Sequence, residues 1–92
     1  MSTFMISYDL WGPENSSDYK KVTDYIKSLW DWSKPLESFY FVVSWKTTKE
    51  IRDEFKNITD NNDKVVVMNV SWDYWSTSNI SAEVTDWMQD NI

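Results

Sequence analysis

The chain has 92 residues, a net charge of −6, no Cys and no His. This length suits one core, so we expect a single domain over residues 1–92. Disulfides, thiolate chemistry and histidine-based metal or acid–base sites are excluded. The acidic balance, with Arg52 as the one arginine, argues against tight binding of free nucleic acid, which needs a basic surface.

Aromatic side chains are the unusual component, because they make up 17% of the chain and include seven Trp. A few buried rings are enough for a small core, and a surplus marks an interface. The chain has no apolar run near the roughly 20 residues of a membrane span, and its N-terminus has no signal-peptide pattern. We therefore expect a cytoplasmic protein that does not enter a membrane.

Residues 3–10 predict the strand around which the domain is organised. Large apolar side chains, among them Tyr8, occupy every second position, and Asp9 ends the opposite face, which is the two-residue period of a strand. Gly12 and Pro13 then end the strand. We expect Tyr8 in the core. Asp9, at the C-terminal end of the strand, is in the usual place for a site and is the candidate catalytic and metal-binding residue. The alternative is that Asp9 caps the following turn by accepting a hydrogen bond from the backbone two residues on.

An amphipathic helix is predicted over residues 18–31, with Ser16 or Ser17 as its N-cap. Its apolar face consists of five residues, Tyr19, Val22, Ile26, Leu29 and Trp30. Pro35 then excludes further helix, and residues 36–45, rich in aromatic and β-branched side chains, predict strand structure. They form either one long bent strand or two short ones, and in the second case Trp32 and Ser33 begin the first.

The second half of the chain predicts a helix, a strand and a last helix. Thr47 and Glu50 fit a capping box ahead of an amphipathic helix. After a polar turn at 59–63 comes a strand over 64–71 that is apolar on both faces, so we expect it in the interior of the sheet. The last helix contains Ile80 and is capped by Ser78 or Asn79. This order predicts an α+β fold, a two-layer ferredoxin-like sandwich of the βαββαβ type with an extra C-terminal helix.

The layout of the chain resembles that of a known group of small proteins. A first strand ending in Tyr8-Asp9, a segment over 32–35 leading into Ser38-Phe39, and a strand opening at Asp63 resemble the small CRISPR adaptation proteins and virulence-associated protein D. The resemblance is closest to the SinR-like proteins, which share the C-terminal helix bearing Trp87. It implies a ferredoxin-like fold and a homodimer. In some members it implies a nuclease in which the residue matching Asp9 from each protomer holds magnesium or manganese, hard ions that take carboxylate oxygens.

The densest aromatic cluster follows the strand at 64–71. We take Trp72, Asp73, Tyr74 and Trp75, together with Trp11 after the first strand, as the candidate binding residues. Such rings stack on bases when cations lie beside them; without cations, a protein interface is favoured. The alternative places the rings of Trp72 and Trp75 in the core.

The net charge of −6 is opposite in sign to that of the basic surfaces through which the adaptation proteins bind DNA. We therefore expect a catalytically silent, acidic homodimer whose partner is a basic, nucleic-acid-handling protein. Phages use small acidic proteins of this kind to occupy a nucleic-acid-binding site of a host protein. The alternative is a small metal-dependent endonuclease acting on DNA or RNA through Asp9 of each protomer. A structural subunit without separate activity is the third interpretation.

Overall fold

The computed structural model describes residues 1–11 and 16–92. The strands in this part are β1 (Ser2–Asp9), β2 (Asp31–Leu36), β3 (Phe39–Ser44) and β4 (Lys64–Asn69), and the helices are α1 (Ser16–Lys27), α2 (Thr48–Asn57) and α3 (Ala82–Asn91). Gly12, Pro13 and the side chains of Ser16 and Ser17, predicted to end β1 and to cap α1, lie outside the described residues. None of the helices in the described ranges is long and apolar enough to cross a membrane.

The strands form one sheet in the order β2-β3-β1-β4, and each neighbouring pair is antiparallel. β1 is central: Ser2 lies opposite Ser44 of β3, and Asp9 lies opposite Lys64 of β4. With the helices between the strands, this is the split βαβ arrangement of a ferredoxin-like α+β fold. The predicted fold class and the additional C-terminal helix are confirmed.

The core lies between the sheet and the two helices α1 and α2. Its buried side chains come from β1, from α1 and the residues just after it, from β3 and from α2: Phe4, Ile6, Tyr8, Val22, Ile26, Leu29, Tyr40, Val42, Ile51 and Phe55. The ring of Tyr8 contacts that of Phe55, with centroids 5.7 Å apart, and its burial raises the pKa of Tyr8 to about 12. The predicted core position of Tyr8 is confirmed. Burial of each large side chain stabilises the fold by about 1.5–3 kcal/mol.

The opposite face of the sheet is partly covered by α3. Trp87 of α3 stacks on Phe41 of β3 with a centroid distance of 6.4 Å, and the hydroxyl of Thr3 donates to the backbone carbonyl of Asn91. α3 does not cover β4, and the side chains of Val66 and Met68 on this face are therefore each more than half exposed. The second face is therefore apolar and covered over β2 and β3, but open at β4.

Residues 31–44 form a hairpin, which settles the choice left open by the sequence in favour of two short strands. The turn is at Glu37 and Ser38, and the carbonyl of Ser38 accepts from the backbone N–H of Tyr8 at 3.1 Å. Pro35 lies in the edge strand β2, where the register shifts between Ser33 and Leu36. An edge strand accommodates proline because it does not need every ladder hydrogen bond.

Three predicted boundaries or positions are wrong. α1 ends at Lys27 instead of residue 31, because Asp31 already pairs with Val43 in the sheet. The strand β4 is at the edge, not in the interior. α2 packs against one of its apolar faces, and the other apolar face is exposed at Val66 and Met68. The last helix is capped by Ser81, whose hydroxyl accepts from the N–H of Val84.

The predicted caps of α3 fail for a conformational reason. Asn79 has φ 59°, in the left-handed region, whereas an N-cap residue needs extended backbone. Ser81 has that geometry, with φ −60° and ψ 151°. Ile80 consequently lies before the helix. In α2 the prediction is confirmed: Glu50 N–H donates to the Thr47 hydroxyl at 3.1 Å, and Thr47 N–H donates to the Glu50 carboxylate at 3.0 Å.

Candidate functional site

The two ends of the sheet carry different side chains. We call the end where β1 and β2 begin and β3 and β4 end the tryptophan end, because Trp30, Trp45 and Trp72 flank these strand ends. We call the other end, where β1 stops, the Asp9 end. The eight residues of β1 separate the two ends by about 25 Å.

At the Asp9 end, the carboxylate that organises the backbone is that of Asp63. It accepts from the N–H of Trp11 at 2.6 Å and from the N–H of Asp60 at 2.8 Å. Asp63 thus accepts from the donor two residues beyond Asp9, and the rest of the turn that Asp9 was expected to cap lies outside the described residues. Asp9 itself is exposed on the open face of the sheet, directly opposite Lys64.

A metal ion at this end would have few ligands from one chain. Within residues 1–11 and 16–92, His, Cys, Asp and Glu side chains do not come together in any group of three that could hold a metal ion. Asp9 provides one carboxylate, and the Lys64 ammonium competes with a cation for it. The described residues of one chain therefore do not by themselves complete a metal site of three such ligands around Asp9.

Trp72 at the tryptophan end has an unusual backbone conformation. The N–H of Asp73 donates to the carbonyl of Val70 at 3.1 Å, which closes a turn with Ser71 and Trp72 at its centre. Trp72 has φ 66°, the left-handed region that glycine enters freely and bulky residues rarely do. The side chain is 90% exposed. The turn is held in place because Thr3 N–H donates to the Ser71 hydroxyl at 2.8 Å.

The other members of the predicted cluster have different environments. Asp73 is exposed and Tyr74 is fully exposed. Trp75 is half-buried and lines an apolar cavity of about 360 Å³ together with Phe39, Phe41 and Ile80. The structure thus brings Trp72, Asp73 and Tyr74 to the surface and turns Trp75 toward the sheet.

Trp11, which the sequence grouped with this cluster, lies elsewhere. It follows β1 at the Asp9 end, where it is exposed and held through its backbone by Asp63. The five predicted binding residues therefore do not form one site: Trp11 lies at the Asp9 end and Trp75 lines a cavity against the sheet, apart from Trp72, Asp73 and Tyr74.

Negative charge is concentrated next to Trp72. Residues 71–92 contain four acidic side chains and no Lys or Arg, so they carry four of the six net negative charges. Three of them, Glu83, Asp86 and Asp90, lie at i, i+3 and i+7 on the exposed side of α3. We call these three the acidic stripe. Asp90 and Trp72 line the same cavity of about 230 Å³, which makes the stripe continuous with the exposed ring.

The acidic stripe is unfavourable for α3 by itself. Asp86 and Asp90 are like charges one helical turn apart, and the last turn of α3 has no basic residue to match the negative end of the helix dipole. Each effect costs a few tenths of a kcal/mol. A cationic partner at this surface would relieve both.

Sequence reasoning missed two exposed tryptophans. Trp30 was assigned to the apolar face of the first helix and Trp45 to the end of a strand, yet they are 71% and 75% exposed. Both line a cavity of about 510 Å³. One signal was present for Trp45: it stands two residues before the cap Thr47, where a strand has already ended.

A polar network forms the inner wall of this cavity. Tyr25 of α1 donates to Glu54 Oε1 of α2 at 2.7 Å, and Lys46 Nζ donates to Glu54 Oε2 at 2.9 Å. These two hydrogen bonds lower the pKa of Glu54 below its ordinary value. Burial and the bond to Glu54 raise the pKa of Tyr25. Glu54 is therefore ionised near neutral pH and fixed in orientation.

No protein-family model matches this chain, and no solved structure matches it significantly. The assignment of the fold therefore depends on the order of the elements and of the strands. It is an α+β fold of βαββαβ order, with an antiparallel four-stranded sheet and a C-terminal helix.

Proposed function

We propose that this protein is a catalytically silent, acidic, dimeric interaction protein that binds a basic, nucleic-acid-handling protein at the tryptophan end of its sheet. The single observation that carries the proposal is Trp72, a 90% exposed tryptophan in the left-handed region. The partner contacts Trp72 and Tyr74, and its basic groups face the acidic stripe.

The conformation of Trp72 argues for a role outside the fold. A non-glycine residue in the left-handed region costs of order 1–3 kcal/mol, and an exposed ring contributes little burial in return. Glycine at this position would remove the strain without loss of a core contact. Exposed aromatic side chains with restricted rotamers are favoured as interface anchors, because they bury a large area at a small entropic cost.

The charge distribution argues for a basic partner. The acidic stripe, next to Trp72, attracts cationic surfaces and raises their association rate in a salt-dependent way. The same charge repels phosphate backbones. A partner whose basic surface normally holds nucleic acid fits both requirements, and occupation of that surface is how a phage-type inhibitor acts. We also propose kinship with the SinR-like and CRISPR adaptation proteins, which the βαββαβ order supports.

The decisive experiment is Trp72→Gly. We expect affinity capture with the wild-type chain to recover a basic protein that nuclease treatment does not release. With Trp72→Gly we expect a loss of binding of at least about tenfold, since a buried anchor contributes 2 kcal/mol or more. Because glycine suits the turn, the variant should be at least as stable as the wild type in urea unfolding.

The matched control is Trp11→Ala. It removes an exposed ring of the same type at the Asp9 end and should leave capture unchanged. If Trp72→Gly captured the partner as well as the wild type did, the proposed role of Trp72 would be wrong. Loss of binding in Trp11→Ala would instead extend the interface to the Asp9 end.

The dimer is proposed on the open face of β4. Val66 and Met68 are more than half exposed on an edge strand, and a second copy related by a two-fold axis can cover them. Light scattering should give twice the 11.0 kDa chain mass. Val66→Lys with Met68→Lys should give a monomer, whereas Leu36→Lys, equally exposed on the other edge strand, should not. A monomeric wild type would remove the dimer from the proposal.

The alternative function is a small metal-dependent endonuclease that uses Asp9 of each protomer with magnesium or manganese. In this alternative, each protomer of a dimer contributes its Asp9. The position of Lys64 opposite Asp9 weighs against it.

A further inference from the structure

The cavity beneath Trp30 and Trp45 is a second feature of the tryptophan end, on the α1 and α2 side of the sheet. It has a volume of about 510 Å³ and is bounded by the end of α1, the middle of α2 and the residues after β3. The two exposed rings line it together with the carboxylate of Glu54. Aromatic faces and a fixed carboxylate together suit a planar cation.

Glu54 retains the capacity for two further hydrogen bonds. Each carboxylate oxygen has two lone pairs; one on Oε1 is used by the Tyr25 hydroxyl and one on Oε2 by the Lys46 ammonium. A guanidinium group donates two parallel N–H groups in the geometry of a carboxylate. The side chain of Glu54 is partly exposed toward the cavity. One face of the carboxylate therefore stays open to a bidentate donor.

The surrounding groups favour a cation over an anion. α1 ends at Lys27, and Tyr25 of its last turn and Ser28 just after it line the cavity, so the negative end of the helix dipole is close. Lys46, the basic residue that lines the cavity, is neutralised by Glu54 at 2.9 Å. Among the described residues that line the cavity, an anion would therefore meet the Glu54 carboxylate without a free cation.

We propose that this cavity binds an arginine side chain, whose guanidinium group donates hydrogen bonds to the Glu54 carboxylate and stacks against the rings of Trp30 and Trp45. The biological source of the arginine rests on the proposed function: a basic, nucleic-acid-handling partner carries arginines on its surface. The site itself does not depend on that partner. Lys46 competes with the incoming guanidinium for Oε2, and arginine is preferred to lysine because it is planar and bidentate.

The test is an NMR titration with two short peptides, acetyl-Gly-Arg-Gly-amide and acetyl-Gly-Lys-Gly-amide. We expect the arginine peptide to shift the indole N–H signals of Trp30 and Trp45 with a dissociation constant of about 1 mM. The lysine peptide should bind at least about threefold more weakly. Equal affinities of the two peptides, or shifts elsewhere only, would overturn the proposal.

Variants of the polar wall separate the ligand classes. Glu54→Gln should abolish the shifts. Lys46→Met should strengthen binding of the arginine peptide, because it removes the competitor; weaker binding in Lys46→Met would overturn the proposal in favour of an anionic or neutral ligand. If Glu54→Gln unfolds, Trp45→Ala replaces it, since its exposed ring is not part of the core, and should weaken binding.

The two proposals fail separately. The Trp72→Gly chain should still bind the arginine peptide, because Trp72 does not line this cavity. If the peptides bound equally while Trp72→Gly lost the partner, the arginine site would be wrong and the proposed function would stand. If the arginine peptide bound selectively and the wild type captured no basic protein, the proposed function would fail and the site would stand.

Discussion

The two ends of the sheet differ in whether their side chains already have partners within the chain. At the Asp9 end, Asp63 holds two backbone N–H groups and Lys64 lies opposite Asp9. At the tryptophan end, Trp30, Trp45 and Trp72 are exposed. The comparison teaches that Asp63 is explained by its role in the fold, whereas the exposed aromatic rings at the other end are not.

The same contrast appears within one short segment. Trp72 and Trp75 are three residues apart, but Trp75 lines a cavity with Phe39 and Phe41 while Trp72 projects from a turn. Their identical chemistry leads to different roles because the turn at Trp72 redirects the chain. Exposure, and not residue type, therefore decides which ring is available to a partner.

The largest expected effect is the difference in protein stability between variants that lack the Trp75 ring and variants that lack the Trp72 ring. Trp75→Ala should lower the free energy of unfolding by about 1.5–2.5 kcal/mol, half the cost of a fully buried Trp. Trp72→Ala should change it by less than about 0.5 kcal/mol. Urea unfolding followed by far-UV circular dichroism measures both. Similar losses in the two variants would mean that Trp72 is structural.

The next effect concerns the Asp9 end. Asp63→Ala removes the acceptor of two backbone N–H groups and should lower the free energy of unfolding by about 1–2 kcal/mol. Asp9→Ala should cost less than about 0.5 kcal/mol, as the removal of an exposed surface carboxylate normally does. The urea midpoints of the two variants are compared. A lower midpoint for Asp9→Ala than for Asp63→Ala would mean that Asp9, and not Asp63, stabilises the turn.

A smaller effect is the acid dependence of the network at Glu54. Its pKa is lower in the folded state than its ordinary value of 4.5, so its contribution to stability is present above the unfolded-state pKa. That contribution is lost as the pH falls through the folded-state pKa. Between about pH 6 and pH 3, wild type should lose more stability than Glu54→Gln.

The control for this pH dependence is Tyr25→Phe. It removes the hydroxyl that contributes most to lowering the pKa of Glu54 and retains the carboxylate. Its loss of stability in acid should lie between those of wild type and Glu54→Gln. If all three chains showed the same acid profile, Glu54 would not be the group responsible.

The smallest expected effect is on catalysis. Wild type and Asp9→Asn should both show no magnesium- or manganese-dependent cleavage of DNA or RNA above a mock purification. Robust cleavage by wild type that Asp9→Asn abolishes would replace the interaction proposal with the nuclease alternative. In the same samples, binding of free DNA or RNA near physiological salt should be no tighter than roughly 10 μM, because the chain repels phosphates.

Part of the candidate site was predictable from sequence and part was not. Trp72, Asp73 and Tyr74 stood out as the densest aromatic cluster, and the structure places them at the surface. Trp30 could not be found this way, since its helical spacing after Ile26 continues past the point where α1 ends. Periodicity describes neighbours along the chain, and it does not report where a strand partner interrupts the helix.

Local interactions account for what the sequence alone determined. The capping box of Thr47 and Glu50 joins groups three residues apart, so it can be identified without knowledge of the rest of the fold. The alternation that places Tyr8 in the core and the order of the helices and strands are local in the same sense. These features require only backbone geometry and side-chain polarity.

The tertiary structure decided the features that depend on distant pairing. β4 is at the edge because β1 pairs with β3 on its other side, and nothing in the apolar pattern of β4 reports this. Asp63 holds Trp11 across 52 positions of sequence. Such outcomes arise from contacts between segments that are remote in sequence, which is why residue patterns cannot contain them.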